Sequence, residues 1–175
     1  TGFDLGSQAA ARRGLQAIGL TLPEASEAIE WQHQFRRRSG MELVPATLPN
    51  LRRTLQRLSA GELVLTGIDR PTPDLKYRPR FFGRPSALPT HHIYLAQKAG
   101  VPIMVLGAVF DGRRYQILAS DELRLASRAN RSDEMIYNAE RVLEVAQGMI
   151  CQAPHQWVVP HPVWPDVGAE LPGSA

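Results

Sequence analysis

Strand-like and helix-like segments alternate through the first part of the chain, and this alternation limits the possible folds more than any other feature. Three short apolar runs have the composition of strands: LQAIGLTL, MELVPA and ELVLTGI, at residues 15–22, 41–46 and 62–68. Two segments between them, residues 23–40 and 48–61, have the apolar spacing of helices. Because such alternation is typical of a parallel sheet covered by helices, the sequence predicts an α/β fold.

Capping residues and glycines mark the predicted helix ends. Asp4 can cap a first helix that runs to about Arg13, where Gly14 can end it, and Gly40 follows the second helix in the same way. The third helix, LPNLRRTLQRLSAG, is amphipathic. Its apolar face has Leu48, Leu51, Leu55 and Leu58, and its opposite face has Arg52, Arg53 and Arg57. The following run, ELVLTGI, is nearly continuous in apolar residues, which predicts a strand buried on both faces.

The second half of the chain predicts a short helix, HIYLAQKAG at residues 92–100, then an antiparallel hairpin and a long helix. Two strand-like runs flank Asp111 and Gly112, a pair that favours a type I′ turn. Ser132 is placed to cap the last helix. Its predicted buried stripe contains Met135, Ala139, Val142, Leu143, Ala146, Met149 and Ile150. The predicted fold is therefore α/β, with a mixed, mostly parallel sheet flanked by helices and a C-terminal antiparallel hairpin and helix.

The length of 175 residues suits one domain, which we expect to extend to about Trp164 and to be followed by a flexible tail at residues 165–175. No window contains the roughly 18 apolar residues that a membrane-spanning helix needs. The single cysteine, Cys151, excludes an internal disulfide, and its place near a helix end predicts a buried structural thiol.

The segment KYRPRFFGRPSALPTHH, at residues 76–92, follows the end of the ELVLTGI strand. Ligands bind outside the carboxyl ends of strands in open α/β sheets, so a functional loop is expected there. The region between Thr66 and Arg84 contains Asp69, Arg70, Asp74, Lys76, Arg78 and Arg80. A solvated charged loop, pinned to the core by Phe81 and Phe82, explains the same residues equally well.

Several classes of site find no support. The chain contains neither a GxxxxGK[ST] nor a GxGxxG motif, so a nucleotide-binding loop is not indicated. Adjacent residues such as His91 and His92 point about 100° apart on a helix, which makes them a poor metal-binding pair. The arginines are distributed over several segments with acidic neighbours, which argues against a nucleic-acid surface. HPVWPD, from His161 to Asp166, resembles a His–four residues–Asp motif, but its two prolines favour a structural role.

Four stretches together resemble the lipid A late acyltransferases: AGELVLTGIDRP, RFFGRPSALPT, LAQKAGVPIMVLGAVF and APHQWVVPHPVW. This family belongs, with the phosphatidylinositol mannoside acyltransferases, to the lysophospholipid acyltransferase superfamily. The resemblance extends from about Phe35 to Trp164. The positions that carry it are Asp69, Phe81, Phe82, Gly83, Thr90, Leu95, Ala96, Gly100, Pro154, Gln156, His161 and Trp164. It implies a glycerolipid acyltransferase-like fold, with residues 1–164 forming an acyltransferase domain that lacks its N-terminal portion.

The resemblance also implies a mechanism and a set of site residues. The family uses a His–four residues–Asp or Glu motif; if Asp4 is its acid, the histidine lies two positions before Thr1. That histidine would act as general base on an acceptor hydroxyl, which attacks an acyl thioester. Arg36 and Arg37 are the predicted phosphate contacts. The other substrate-binding residues implied are Asp69, Arg70, Arg80, Phe82, Gly83 and Thr90.

The implied partners are an acyl-CoA or acyl-carrier-protein donor, a lipid or glycolipid acceptor and a membrane surface, with no cofactor, metal or nucleic acid. The implied location is the cytoplasmic face of the inner membrane, reached peripherally or through an anchor in a missing N-terminal segment. As given, the chain is expected to be inactive without the upstream histidine. Relatives commonly have glycine at the position of His91, which is a departure from the family pattern. The alternative is a non-catalytic α/β module that binds lipid or phosphate.

Overall fold

The computed structural model describes residues 11, 14, 17–21, 27–38, 40–72, 76–159 and 161–165. Its elements, in chain order, are β1 (Ala17–Thr21), α1 (Glu27–Arg38), β2 (Glu42–Pro45), α2 (Leu48–Ser59), β3 (Leu63–Leu65), β4 (Arg80–Phe81), β5 (Arg84–Pro85), α3 (His91–Ala99), β6 (Leu106–Phe110), β7 (Tyr115–Ala119), α4 (Arg131–Ile150) and a 3-10 helix (Pro154–Gln156). Apart from Ala11, which is helical, the predicted first helix lies outside the described residues, as does most of the predicted tail. The α/β prediction is confirmed.

The chain forms two compact units. The first contains the described residues up to Gly67, together with Lys98–Val101 and Ala108–Ile117. The second contains Ile68–Gln97, Pro102–Gly107 and the described residues from Leu118 onward.

A parallel three-stranded sheet, in the order β2-β1-β3, organises the first unit. Ile18 of the central strand pairs with Glu42 on one side and Val64 on the other, and its side chain is buried. Helices α1 and α2 supply the crossovers that parallel strands require. Gly14 and Gly40 have φ values of 87° and 88°, in the left-handed region expected for residues that end helices.

Apolar character does not by itself decide burial in the first unit, and the prediction that the ELVLTGI strand is buried on both faces is wrong. Leu48 at the beginning of α2 is 77% exposed, and the buried residue of this helix is Thr54, whose hydroxyl donates to the Asn50 carbonyl at 2.8 Å. The side chains of Leu51, Leu55 and Leu58 are half-buried. Strand β3 is not buried on both faces, since Leu63 is 47% exposed. β3 is an edge strand with a neighbouring strand on one side only, so its apolar side chains are not all covered.

Arg57 of α2 connects the helix to residues of β2 and to the residue that precedes β3. Its guanidinium forms ion pairs with the carboxylates of Glu42 and Glu62, and its Nε donates to Glu62 at 2.6 Å. The hydrogen bond from Arg57 lowers the pKa of Glu62, and the two carboxylates raise the pKa of Arg57. An arginine fork suits this role because it can bind two carboxylates at once.

Helix α4 is the centre of the second unit. A first cluster of buried side chains contains Ile93, Val105, Met135, Ala139, Val142 and Ala146. A second cluster contains Phe81, Leu88, Leu143 and Val163. The predicted stripe is confirmed at its Met135, Ala139, Val142, Leu143 and Ala146 positions, whereas Met149 and Ile150 are half-buried.

The ends of α4 differ from their prediction. Asn130, rather than Ser132, is the N-cap, and its side-chain oxygen accepts from the backbone N–H of Ser132 at 2.8 Å. Cys151 at the other end is exposed, so the prediction of a buried thiol is wrong. It lies one residue past the helix, where the chain no longer follows the buried stripe.

The β6–β7 hairpin is confirmed, but its predicted turn type is wrong. A type I′ turn needs both central residues at positive φ, and here Gly112 alone has it, at 94°. The Asp111 carboxylate instead accepts from the backbone N–H groups of Arg113 and Arg114, at 2.9 and 3.0 Å. These hydrogen bonds lower the pKa of Asp111. The short Asp111 side chain thus stabilises the turn by accepting backbone hydrogen bonds from the residues that follow it.

None of the helices in the described ranges combines the length and apolar character needed to cross a bilayer.

Candidate functional site

The RFFGRP sequence forms a small hairpin in a segment that was expected to be a loop. Arg80 pairs with Pro85 and Phe81 pairs with Arg84 in an antiparallel arrangement. The two residues between the strands, Phe82 and Gly83, have φ values of 49° and 75°. Two successive left-handed residues are the requirement of a tight hairpin turn, and a bulky residue in that region is strained. Phe82 is the one non-glycine residue with positive φ in the described parts of the chain.

Two polar side chains of α4 hold the backbone of this turn. The backbone N–H of Arg80 donates to Oε1 of Glu140 at 2.9 Å, and the N–H of Phe82 donates to Oε1 of Gln147. Glu140 and Gln147 are two helical turns apart, so they lie on the same face of α4. Helix α4 therefore provides hydrogen-bond acceptors for two backbone N–H groups of the hairpin.

Four aromatic rings, Phe81, Phe82, Trp157 and Trp164, pack into one group, which we call the aromatic cluster. The centroid of the Phe81 ring lies 4.7 Å from that of Phe82, 5.6 Å from Trp157 and 5.9 Å from Trp164. Phe81 is 1% exposed, whereas Phe82 is 41% exposed. Phe81 thus anchors the hairpin, as predicted, while Phe82 presents part of its ring to solvent.

The C-terminal segment completes the aromatic cluster through polar contacts. The indole N–H of Trp164 donates to the Phe81 carbonyl at 2.9 Å, and the backbone N–H of Ala87 donates to the Val163 carbonyl at 2.8 Å. The indole N–H of Trp157 donates to Oδ2 of Asp69 at 3.3 Å. Three segments that are far apart in sequence therefore meet at the cluster. The buried Val163 and the packed Trp164 support a structural role for the HPVW sequence, while Asp166 lies outside the described residues.

The segment after the hairpin is buried and leads into α3. Ser86 donates from its hydroxyl to the Pro79 carbonyl at 2.7 Å and from its backbone N–H to the same carbonyl at 3.0 Å. Thr90 is buried, and its carbonyl accepts from the N–H groups of Ile93 and Tyr94 at 3.1 and 3.4 Å. The predicted site residue Thr90 thus immediately precedes α3, and its carbonyl accepts the first hydrogen bonds of the helix.

His92 in the first turn of α3 is 6% exposed, and neither ring nitrogen has a hydrogen-bond partner among the described residues. Burial, with a smaller contribution from His91, lowers the pKa of His92 to about 3. Its imidazole is therefore neutral at physiological pH. Within the ranges that the structure describes, no three His, Cys, Asp or Glu side chains are grouped so that they could hold a metal ion.

The predicted site residues divide between the two units. Asp69, Phe82, Gly83 and Arg80 meet at or beside the aromatic cluster of the second unit. The side chains of Arg70, Arg80 and Arg84 in the same unit are exposed.

The other predicted arginines lie in the first unit. Arg36 and Arg37 occupy the last turn of α1, where Arg37 donates to Glu30 at 2.7 Å. Asp4 lies outside the described residues.

Three residues that organise the hairpin were missed from the sequence: Trp157, Glu140 and Gln147. Trp157 was detectable, since it lies in the APHQWVVPHPVW stretch on which the family resemblance partly rests. Glu140 and Gln147 have no such signal, because polar residues on an amphipathic helix are ordinarily assigned to its solvent face.

The family described as bacterial lipid A biosynthesis acyltransferase matches residues 11–165. Because the match covers most of the chain, the protein belongs to this family. Membership makes it an acyltransferase of lipid A biosynthesis, whose acceptor is a lipid. No curated protein matches the chain.

Proposed function

We propose that the protein transfers a fatty acyl group from an acyl thioester, either acyl-CoA or acyl-carrier protein, to a hydroxyl of a glycolipid acceptor. The observation that supports this most is the joining of Asp69, the Phe82–Gly83 turn and Trp164 in one cluster. These are separate pieces of the pattern by which the chain resembles the family. Asp69 accepts from the indole N–H of Trp157, and the indole N–H of Trp164 donates to the Phe81 carbonyl, so both residues are tied to members of the same aromatic cluster. The family match at residues 11–165 covers all of them.

The proposed chemistry is general-base catalysis by a histidine two positions before Thr1, paired with Asp4. The imidazole takes the proton from the acceptor hydroxyl as the oxygen attacks the thioester carbonyl carbon. The C–O bond of the new ester forms, the C–S bond breaks, and the imidazolium returns its proton to the leaving thiolate. The Asp4 carboxylate orients the imidazole and stabilises its charged form.

The arginines are proposed to bind phosphate groups of donor or acceptor. Arg36 and Arg37 lie together in the last turn of α1, and Arg70 and Arg80 are exposed in the second unit. Guanidinium groups suit phosphate because they donate two parallel hydrogen bonds. The acceptor is a lipid, so the proposed place of action is the cytoplasmic face of the inner membrane.

The test is an Asp4→Ala variant in the protein expressed from its complete reading frame. We expect kcat to fall by about 10²–10⁴-fold, the range for loss of general acid–base assistance. The assay measures acylated glycolipid by mass spectrometry with acyl-CoA and with acyl-carrier protein as donors. Asp121→Ala, at an exposed aspartate of the second unit, is the matched control and should retain full activity.

Undiminished transfer by Asp4→Ala would remove Asp4 from the mechanism. No transfer by the unaltered protein with any donor, combined with retained lipid binding, would favour the non-catalytic binding module.

A further inference from the structure

Helix α1 of the first unit exposes two aromatic side chains on one face. Trp31 is 68% exposed and Phe35 is 39% exposed. They are one helical turn apart, and their rings stack with centroids 6.1 Å apart and planes 6° from parallel. A stacked, solvent-facing aromatic pair is a concentrated apolar surface on a helix end that is otherwise polar.

The opposite side of α1 is the one that packs against the rest of the protein. His33 is rotated by about 200° from Trp31 around the helix axis and is 5% exposed. Burial, with a contribution from the charge of Arg36, lowers the pKa of His33. The helix therefore turns His33 inward and directs the aromatic pair outward.

Arg38 extends the aromatic face with a positive charge. It follows Trp31 by seven residues, which places it on the same side of the helix, and its side chain is exposed. The last turn of α1 contains three consecutive arginines, Arg36, Arg37 and Arg38. The Glu30 carboxylate is engaged by Arg37 at 2.7 Å, so the one acidic side chain described in this helix is already paired. We call Trp31, Phe35 and Arg38 the α1 stripe.

We propose that the α1 stripe docks on an anionic lipid surface, with the two rings at the boundary between head groups and acyl chains and Arg38 on a lipid phosphate. Tryptophan concentrates at membrane interfaces because its ring is apolar and its N–H is polar. Arginine can extend its charged head to the phosphates while its methylene stem stays in the apolar layer. This inference deepens the proposed function, since an enzyme with a lipid acceptor works at such a surface, but docking requires no catalysis.

The test uses flotation of the 175-residue chain with vesicles of phosphatidylcholine alone and of phosphatidylcholine mixed with phosphatidylglycerol. We expect the double variant Trp31→Ser, Phe35→Ser to weaken partitioning to both kinds of vesicle by at least about 10-fold. Arg38→Ala should weaken binding by about 5-fold on the anionic vesicles alone, which corresponds to about 1 kcal/mol per basic residue near such a surface.

The matched control is the double variant Tyr115→Ser, Ile117→Ser on β7, whose side chains are 45% and 53% exposed. It removes a similar apolar area and should bind vesicles like the unaltered chain. Circular dichroism checks that all variants keep their helix content. Unchanged binding by the α1 variant, or equal loss by the control, would overturn the proposal. Loss of a dimer on size exclusion, with vesicle binding unchanged, would also overturn it and identify the stripe as a protein interface.

A second measurement separates this proposal from the proposed function. In the protein from the complete reading frame, the α1 variant should transfer acyl groups normally to acceptor dispersed in detergent and more slowly to acceptor in vesicles. Absence of transfer in both media by the unaltered protein, with vesicle binding intact, would contradict the proposed function and leave the docking surface standing.

Discussion

His92 combines burial with two unsatisfied ring nitrogens among the described residues, a combination that favours the neutral imidazole. In the folded chain its pKa is lowered from 6.5 to about 3. The unfolded chain therefore binds a proton as the pH falls below 6.5, while the folded chain does not. The contribution of neutral His92 to the free energy of unfolding is therefore fully present above pH 6.5. It is lost as the pH falls from 6.5 toward 3, because protonation stabilises the unfolded state alone.

We predict that the titration of His92 lowers the free energy of unfolding by about 2 kcal/mol between about pH 7 and pH 5. The slope is roughly 1.4 kcal/mol per pH unit below the pKa of the unfolded state. Urea unfolding at several pH values measures this slope. His92→Leu should remove most of it. His161→Leu, at an exposed position, is the control. An unchanged slope in His92→Leu would show that the imidazole reaches solvent or a proton partner.

At the residue scale the sequence identified the important hairpin but not its geometry. Phe81, Phe82 and Gly83 were singled out by resemblance, yet the left-handed backbone of Phe82 contradicts the usual preference of aromatic residues. That conformation is imposed by the pairing of β4 with β5 and by the hydrogen bond to Gln147, which is 65 residues away. Local propensity contains no information about such a distant partner.

Helix α4 holds the segment that precedes it through one buried amide, Asn138. The Asn138 side chain donates to the carbonyls of Ala126 and Glu134, at 2.8 and 2.9 Å, and accepts from the N–H of Ala126 at 2.8 Å. The side chain is fully buried. A buried amide with its donors and acceptor satisfied fixes the register of the connection against the helix.

We predict that Asn138→Leu lowers the free energy of unfolding by about 2–4 kcal/mol, because it removes both partners of the half-buried N–H and carbonyl of Ala126. Asn130→Ala, which removes the cap of the same helix, should cost only about 1 kcal/mol. Both values follow from chemical denaturation at neutral pH. If the two variants were equally stable, the Ala126 backbone groups would have to be satisfied by water, and the buried role of Asn138 would be wrong.

At the element scale the sequence predicted most of what periodicity encodes. The described helices α1 to α4, the parallel strands and the β6–β7 hairpin all begin and end near their expected positions. The errors concern burial and caps. Leu63 was assigned to a strand buried on both faces because its neighbours are apolar, but the position of that strand at the sheet edge leaves Leu63 exposed. Asn130 and Ser132 are both good capping residues, so their types could not distinguish which one caps α4.

The two compact units are connected by more than a single linker. The chain passes between them after residues 67, 97, 101, 107 and 117. Unfolding of either unit therefore releases the ends of several segments that the other unit holds. This connectivity predicts one cooperative unfolding transition for both units.

The cooperativity can be tested by a change in one unit that is read in the other. In a Trp31→Phe background the remaining tryptophans, Trp157 and Trp164, report on the second unit. Ile18→Ala in β1 of the first unit should lower the midpoint seen by tryptophan fluorescence and by circular dichroism equally, at a cost of about 2–5 kcal/mol. Leu48→Ala, at an exposed site of the same unit, should shift neither probe. A fluorescence midpoint that Ile18→Ala leaves unchanged would show that the units unfold independently.

The hydrogen bond between Trp164 and Phe81 joins residues that are 83 positions apart. A ribosome makes the chain from its N-terminus, so the RFFGRP hairpin leaves the exit tunnel long before the tryptophan that completes its packing. During that interval Phe81 has no indole to pack against at the position of Trp164, and the second unit cannot reach its final arrangement. We therefore expect the hairpin to become ordered only after Trp164 has left the tunnel.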